Sequence, residues 1–245
     1  MNKKHNLIEL INIEFDRFKS LNYSNSIVPN SIPILWFGNF EKYLISDKKI
    51  ITVSLNPSDN EFKLRKMDPY STKYRFSPYN GTVNSLYDAY NEYFSLSKSP
   101  YNSWFKSSFK SVLESFNASH YNNAPNIALH TDIGSPYATS PTWSGLGLAD
   151  KKALEPLGSL SWHSLVKILE PDIILFSASY SFEKKIKFKQ IGNWKEIDVN
   201  ADRPLLVGKF QINETNNTTV LFQVQGRKPF LKSSKEEKLN FRNHI

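Results

Sequence analysis

Four short runs of aliphatic and β-branched residues, each followed by a polar or glycine-containing loop, constrain the fold of this chain most strongly. The runs span 50–55, 126–133, 172–177 and 219–224. Helical patterns over 83–94, 104–116 and 161–169 lie between them. Strands that alternate with helices are typical of a parallel sheet covered by helices on both faces. The sequence therefore predicts a three-layer α/β/α fold with a central, mostly parallel, four-stranded sheet.

The length of the chain is typical of one domain, and its hydropathy pattern favours a protein that does not enter a membrane. Its 245 residues match an ordinary enzyme domain, which we expect to span 1–245. An amphipathic helix is expected within an N-terminal extension over 1–31, and a basic tail over 232–245. The N-terminus does not have the pattern of a signal peptide, and no run approaches the roughly 18 apolar residues that a membrane span needs. We expect a cytoplasmic protein without a membrane partner.

Residue types exclude several kinds of chemistry. The chain has no cysteine, so it forms no disulfide, thiolate nucleophile or iron-sulfur cluster of its own. Its five histidines are scattered, and we find no phosphate-binding loop, dinucleotide motif or serine-hydrolase elbow. We therefore expect no metal and no cofactor, which leaves water and the protein's own side chains as the chemical apparatus.

The positive charge indicates a polyanionic partner. The chain has 31 Lys and Arg against 23 Asp and Glu, a net charge of +8. Five basic and two acidic residues lie between 61 and 75, and six basic and two acidic residues lie between 227 and 242. These two segments lie beside predicted loops, so the charge is placed where it could hold phosphates around a site.

Four short segments add a more specific indication. They are SLNPS at 54–58, YRFS at 74–77, LHTD at 129–132 and QGRKPF at 225–230. In order, spacing and position this set resembles the uracil-DNA glycosylase superfamily, over about residues 32–231. The wider phrase TVSLNPSDNEF at 52–62 is similar to a bacterial branch of that superfamily. The resemblance implies an enzyme that flips a base out of DNA and hydrolyses its N-glycosidic bond.

The resemblance also implies roles for particular residues. Asn56 would position the attacking water, and Leu55 and Pro57 would line the base pocket beside it. Phe76 would stack on the flipped base. Because an amide is a weaker base than the Asp of the fastest relatives, we expect modest turnover. The alternative for Asn56 is an ordinary turn residue. The alternative for Phe76 is a core residue, and the other candidates for the stacking role are Phe62, Tyr70 and Tyr74.

The strand over 126–133 is expected to read the base. Its alternation places Ala128, His130 and Asp132 on one face. His130 stands where uracil readers carry Asn, and an ionised Asp132 accepts hydrogen bonds only, which suits the exocyclic amine of cytosine. His130 could instead be a core histidine and Asp132 a cap of the following loop.

The C-terminal segment is expected to contact DNA and the departing base. Gln225 replaces the histidine that stabilises the leaving base in the best-known relatives, so His130 is a second candidate for that task. Phe230 would fill the vacated base position. The DNA contacts would include Arg75, Arg227, Lys228, Phe230 and Lys232. The expected partner is duplex DNA with a flipped base, and no protein partner is predicted.

The expected substrate is a bulky modified cytosine, such as glucosylated hydroxymethylcytosine in phage DNA, which would make the protein part of antiviral defence. The missing Asn, the acceptor Asp132 and the long loop over 134–147 favour this substrate. A uracil or mismatch repair glycosylase is one alternative. A catalytically silent nucleic-acid-binding module and an enzyme that acts on a small nucleoside or nucleotide are the others.

Overall fold

The computed structural model describes residues 2–21, 26–63, 70–71, 75–95, 101–197, 205–224, 230 and 241. The α-helices are α1 (Lys3–Ser20), α2 (Phe40–Leu44), α3 (Val83–Asn91), α4 (Asn102–Ser108), α5 (Lys110–Glu114) and α6 (Leu148–Leu169). The strands are β1 (Ile50–Ser54), β2 (Ala118–Ser119), β3 (Asn126–Ile127), β4 (Leu129–Asp132), β5 (Ile173–Ala178), β6 (Lys189–Glu196), β7 (Leu205–Gln211) and β8 (Asn217–Val224). Short 3-10 helices span Asp59–Glu61, Trp143–Gly145 and Tyr180–Lys185.

The main sheet is mixed and mostly parallel in its centre, with helices around it. Its strand order is β4-β1-β5-β8-β7-β6. β1 pairs in parallel with β5, and β5 in parallel with β8, whereas β7 pairs antiparallel with both β8 and β6. The prediction of an α/β fold with a largely parallel sheet is confirmed, and the prediction of four strands is wrong. The two added strands are β6 and β7, of which β6 is an exposed, polar edge strand without an apolar run.

Two predicted helices differ from those in the structure. The pattern over 104–116 forms two helices, α4 and α5, which are separated at Phe109. The pattern over 161–169 is the last part of α6, which begins much earlier and contains Pro156. Pro156 and Gly158 have the character of helix breakers, which is why the sequence pattern placed the start of this helix too late. The opening helix is confirmed as α1.

The chain divides into two compact units, each made of three segments. The first unit comprises Met1–Asn39, Leu55–Tyr101 and Thr131–Leu169. The second unit comprises Phe40–Ser54, Asn102–His130 and Glu170–Ile245. Strand β4 contributes residues to both. Among the helices of the described residues, none combines the length and the apolarity that a bilayer crossing needs.

The first unit is built around α1, which packs against α3 and α6. Its buried stripe contains Leu7 and Ile11 and continues in Glu14, which is 1% exposed. The Glu14 carboxylate accepts hydrogen bonds from Arg17, from Ser161 Oγ at 2.5 Å and from Tyr137 Oη at 2.9 Å. This network attaches the long loop over 134–147 to two helices, because Ser161 lies on α6.

The core of the second unit lies between one face of the sheet and the helices α4 and α5. Apolar side chains of β1, β5, β7 and β8 pack there against aromatic and aliphatic residues of the two helices. The cluster includes Ile50, Leu175, Val207, Leu221, Phe109, Val112 and Phe116. Burial of these apolar side chains supplies the hydrophobic stabilisation that holds the strands in register.

Candidate functional site

The loop after β1 holds the Asn56 side chain in a fixed orientation. Leu55 and Asn56 are half-buried and Pro57 is buried. The Asn56 Nδ2 group donates to Thr139 Oγ1 at 2.8 Å, and its Oδ1 accepts from the backbone N–H of Trp143 at 3.1 Å. A backbone N–H can only donate, so the positions of the amide oxygen and nitrogen are determined. The oxygen keeps a second lone pair that could accept a hydrogen bond from water.

The loop after β4 lies directly against the start of the loop after β1. The backbone N–H groups of Gly134 and Ser135 both donate to the Leu55 carbonyl, at 2.8 and 3.0 Å. A Cβ atom on Gly134 would lie 2.5 Å from that carbonyl oxygen. On α6, a Cβ atom on Gly158 would lie 2.1 Å from the carbonyl oxygen of Gly134. Two glycines therefore allow the helix and both loops to pack in backbone contact.

Substituting Gly158 tests this close packing. We expect Gly158→Ala to lower the free energy of unfolding by about 2 kcal/mol, because the added methyl group meets backbone atoms that cannot move aside. Urea denaturation measures the change. Gly147→Ala is the matched control, since its Cβ atom would meet only Asp150 Oδ2, at 4.0 Å. Equal stability of the two variants would contradict the packing described.

A buried carboxyl group follows Asn56 by five residues. Glu61 ends the 3-10 helix Asp59–Glu61 and is 3% exposed. Tyr93 Oη donates to Glu61 Oε2 at 2.5 Å, and Arg75 Nε lies 3.6 Å from the same oxygen. Burial raises the pKa of Glu61 to about 7, although Arg75 and the hydrogen bond from Tyr93 act in the opposite direction. Glu61 therefore gains and loses a proton near neutral pH, as a general acid or base must.

Asp132 is a second buried carboxyl group of the first unit. It is 6% exposed. Burial, and after it the charge of Glu61, raises the pKa of Asp132 well above its usual value. This environment favours the protonated form, which donates as well as accepts. The expectation that Asp132 only accepts from a base depends on an ionised state that burial disfavours.

Phe76 lies inside an aromatic cluster. It is fully buried and stacks on Phe62, with ring centroids 5.6 Å apart. Tyr93 and Phe37 lie at 5.4 and 6.3 Å. In this arrangement protein groups cover both faces of the Phe76 ring. Phe76 is therefore placed as a core residue, which was the alternative to the stacking role. The cluster also supplies Tyr93, the hydrogen-bond donor to Glu61.

Arg75 is directed toward the interior of the first unit. Its side chain is 10% exposed and faces Glu61, and its Nε donates to the Asn60 carbonyl at 3.3 Å. The guanidinium carbon lies 5.8 Å from the ring centre of Tyr101. With these partners Arg75 compensates the buried carboxyl group, whereas the sequence suggested a phosphate contact.

In the second unit His130 belongs to a buried polar pair. Its Nδ1 lies 2.8 Å from Thr52 Oγ1, and Nε2 of His120 lies 2.9 Å from the same hydroxyl. Burial, with a smaller contribution from His120, holds the pKa of His130 well below its usual value. Burial lowers the pKa of His120 to about 3. A hydroxyl can donate to one neutral ring and accept from the other, so these two ring nitrogens are satisfied without charge.

The surroundings of His130 confirm its enclosure. Three aromatic rings lie with their centres 5.1–5.6 Å from the imidazole, those of Trp104, Phe105 and Phe109. A neutral imidazole in this position does not supply the positive charge that would stabilise a leaving base. The placement is that of a satisfied core histidine.

The C-terminal segment is described only at two positions. Phe230 is fully buried, with Phe109 and Phe241 at ring distances of 6.0 and 6.5 Å. In this position Phe230 is part of the core and has no surface for contact with DNA. The other expected residues of this segment lie outside the described residues, namely Gln225, Arg227, Lys228 and Lys232.

Comparison with known proteins identifies no relative. The chain matches no protein-family model, no curated protein and no solved structure. The resemblance to the glycosylase superfamily therefore rests on the four sequence segments alone. Within the described residues, no group of three or more His, Asp or Glu side chains is arranged to hold a metal ion.

The structure thus brings some of the expected residues into one unit and leaves others elsewhere. Leu55, Asn56, Pro57 and Asp132 belong to the first unit, while His130 and Phe230 belong to the second. The sequence patterns did not indicate Glu61 as a functional residue, since it entered them only as one of two acidic residues between 61 and 75. The available signal was a carboxyl group in the same short loop as Asn56, followed directly by Phe62.

Proposed function

We propose that this protein is a monofunctional DNA glycosylase, which hydrolyses the N-glycosidic bond of a flipped-out modified pyrimidine and leaves an abasic site. A bulky modified cytosine is the preferred substrate in this proposal. The observation that carries it is the fixed Asn56 amide, whose oxygen keeps a free lone pair in the loop after β1. The order and spacing of the four superfamily-like segments add support.

The proposed reaction needs a positioned water and a proton acceptor. Asn56 Oδ1 would hold the water against the sugar carbon C1′. The water oxygen forms a bond to C1′ while the bond from C1′ to the base nitrogen breaks, and the bonding electrons leave with the base. The attacking water releases one proton, for which Glu61 has a suitable affinity because its pKa is raised to about 7. The departing base takes up a proton from solvent.

A panel of DNA substrates tests the proposal. The purified chain is incubated with duplexes that differ at one position, which carries cytosine, uracil, hydroxymethylcytosine or glucosylated hydroxymethylcytosine. Alkali then cleaves the strand wherever a base has been released. We expect cleavage with the glucosylated base and little or none with cytosine. Cleavage of uracil DNA alone would leave a glycosylase but refute the choice of modified cytosine.

One observation favours a catalytically silent nucleic-acid-binding module as the second candidate. The Asn56 amide already bonds to Thr139 and Trp143, so it can act as a structural link between two loops. Such a module would bind DNA with an affinity that falls as salt rises. It would release no base from any duplex of the panel.

A further inference from the structure

Strands β6 and β7 of the second unit form an antiparallel pair that carries three lysines on one face. Three pairs of residues in register each contain one of them, namely Lys189–Gln211, Ile191–Lys209 and Lys195–Val207. Directly paired residues of antiparallel strands point to the same face of the sheet. Positions 207, 209 and 211 are two residues apart along β7, so the three pairs share that face. We call Lys189, Lys195 and Lys209 the lysine face.

The charges of the lysine face are exposed and uncompensated. All three side chains are exposed, and within the described residues none of them makes an ion pair. The three pairs contain no acidic residue. Glu196, which follows Lys195, alternates to the opposite face with its partner Leu206. Neighbouring pairs lie about 6.7 Å apart along the strands, so three positive charges stand in a line about 13 Å long.

Protection of the sheet edge accounts for only part of the lysine face. Lysines on an edge strand hinder pairing with another chain, and β6 is the edge strand that carries Lys189 and Lys195. Lys209 lies one strand further in, on β7. It is exposed between the buried residues Gly208 and Phe210. Because a charge at this inner position does not cover the edge, the whole face indicates an anionic partner.

We propose that the lysine face binds the phosphate backbone of duplex DNA. Each DNA strand presents one phosphate per about 3.4 Å of helix axis, so lysines spaced by about 6.7 Å along the strands meet every second phosphate. A single small anion would need ammonium groups that converge on one point, whereas these stand in a line. A membrane would need several exposed apolar side chains, whereas the three pairs offer only Ile191, which is 43% exposed.

This surface adds to the DNA contacts that the sequence predicts, none of which lies on β6 or β7. It shares no residue with the loop of Asn56, and binding there needs no base release. Its test can therefore fail while the glycosylase proposal stands, and the reverse also holds.

The salt dependence of DNA binding tests the lysine face. The native chain and a triple variant, Lys189→Gln, Lys195→Gln and Lys209→Gln, are titrated with a short unmodified duplex at about 50 to 200 mM salt. Each lost phosphate contact reduces the magnitude of the slope of log K against log [salt] by about 0.9. We therefore expect the triple variant to lose about 2.7 from this slope and to bind about 10²-fold more weakly at the lowest salt. Equal slopes of the native chain and the triple variant would overturn the proposal.

A second triple variant controls for the loss of net charge. Lys151→Gln, Lys152→Gln and Lys167→Gln remove the same charge from α6 and should change the slope by less than about one unit. Equal effects of the two triple variants would overturn the proposal, since only net charge would then matter.

Two further outcomes separate DNA from the other uses of these lysines. If the lysine-face variant keeps its affinity for DNA but self-associates, the lysines serve only to protect the edge of the sheet, and the proposal is wrong. If it keeps its affinity for DNA but loses binding to phosphatidylserine vesicles, the face binds a membrane surface, and the proposal is equally wrong.

Discussion

Asn56→Ala is expected to lower the rate of base release by about 10²-fold, because the attacking water loses the acceptor that positions it. Asn56→Asp is expected to act in the opposite direction and raise the rate by about tenfold, since a carboxylate is a stronger base than an amide. The Asp side chain can still accept from the Trp143 N–H, which bonds to Asn56 Oδ1 in the native protein. Single-turnover base release on the preferred duplex measures both changes.

The structural role of Asn56 needs its own control. Thr139→Val removes the hydrogen bond that Asn56 Nδ2 donates to Thr139 Oγ1 but leaves Asn56 Oδ1 in place. We expect this variant to lose less than about tenfold in rate while it shares part of the stability loss of Asn56→Ala. If Thr139→Val and Asn56→Ala reduce the rate equally, Asn56 acts only as a link between the two loops.

The stability of the protein is expected to fall as pH rises from about 4.5 to about 7. Burial raises the pKa of Glu61 to about 7 in the folded protein, against 4.5 for an unperturbed glutamate. Within this pH window the folded state therefore binds more protons than the unfolded state. The free energy of unfolding decreases as pH rises and these protons dissociate. The difference between these two pKa values corresponds to a loss of about 3 kcal/mol in the free energy of unfolding once Glu61 is fully ionised. Urea denaturation at a series of pH values measures it.

Two variants assign this pH dependence to Glu61. Glu61→Gln should reduce the difference in unfolding free energy between pH 4.5 and pH 8 by about 3 kcal/mol, because no proton can dissociate there. Tyr93→Phe removes the hydrogen bond that lowers the pKa of Glu61, so the loss of stability should extend to higher pH. A Glu61→Gln protein with the pH dependence of the native chain would contradict the assignment.

The sequence predicted the parts of the fold that depend on dense apolar patterns. β1, β5 and β8 are continuous buried runs, and α1 has a clear apolar stripe. β6 escaped prediction because an edge strand with exposed polar residues has neither an apolar run nor a buried face. β7 begins with the apolar run Leu205–Val207, which is a usable signal for a strand.

The candidate site was less predictable because burial of individual side chains depends on tertiary packing. The position of the Asn56 loop could be predicted, because the loop begins where the first predicted strand ends. The interior position of Phe76 could not be read from a chain with 17 Phe residues. Because charged residues are mostly exposed, no local sequence pattern indicated that Glu61 and Arg75 face each other in the protein interior.

The most direct test of the central claim is the detection of the released base by mass spectrometry. The native chain is incubated with duplex DNA that carries one glucosylated hydroxymethylcytosine, and free base and abasic strand are counted in the same reaction. The glycosylase account predicts equal amounts of the two products, with about 10²-fold slower release by Asn56→Ala. Salt-dependent binding of the duplex by the native chain without any released base would contradict it.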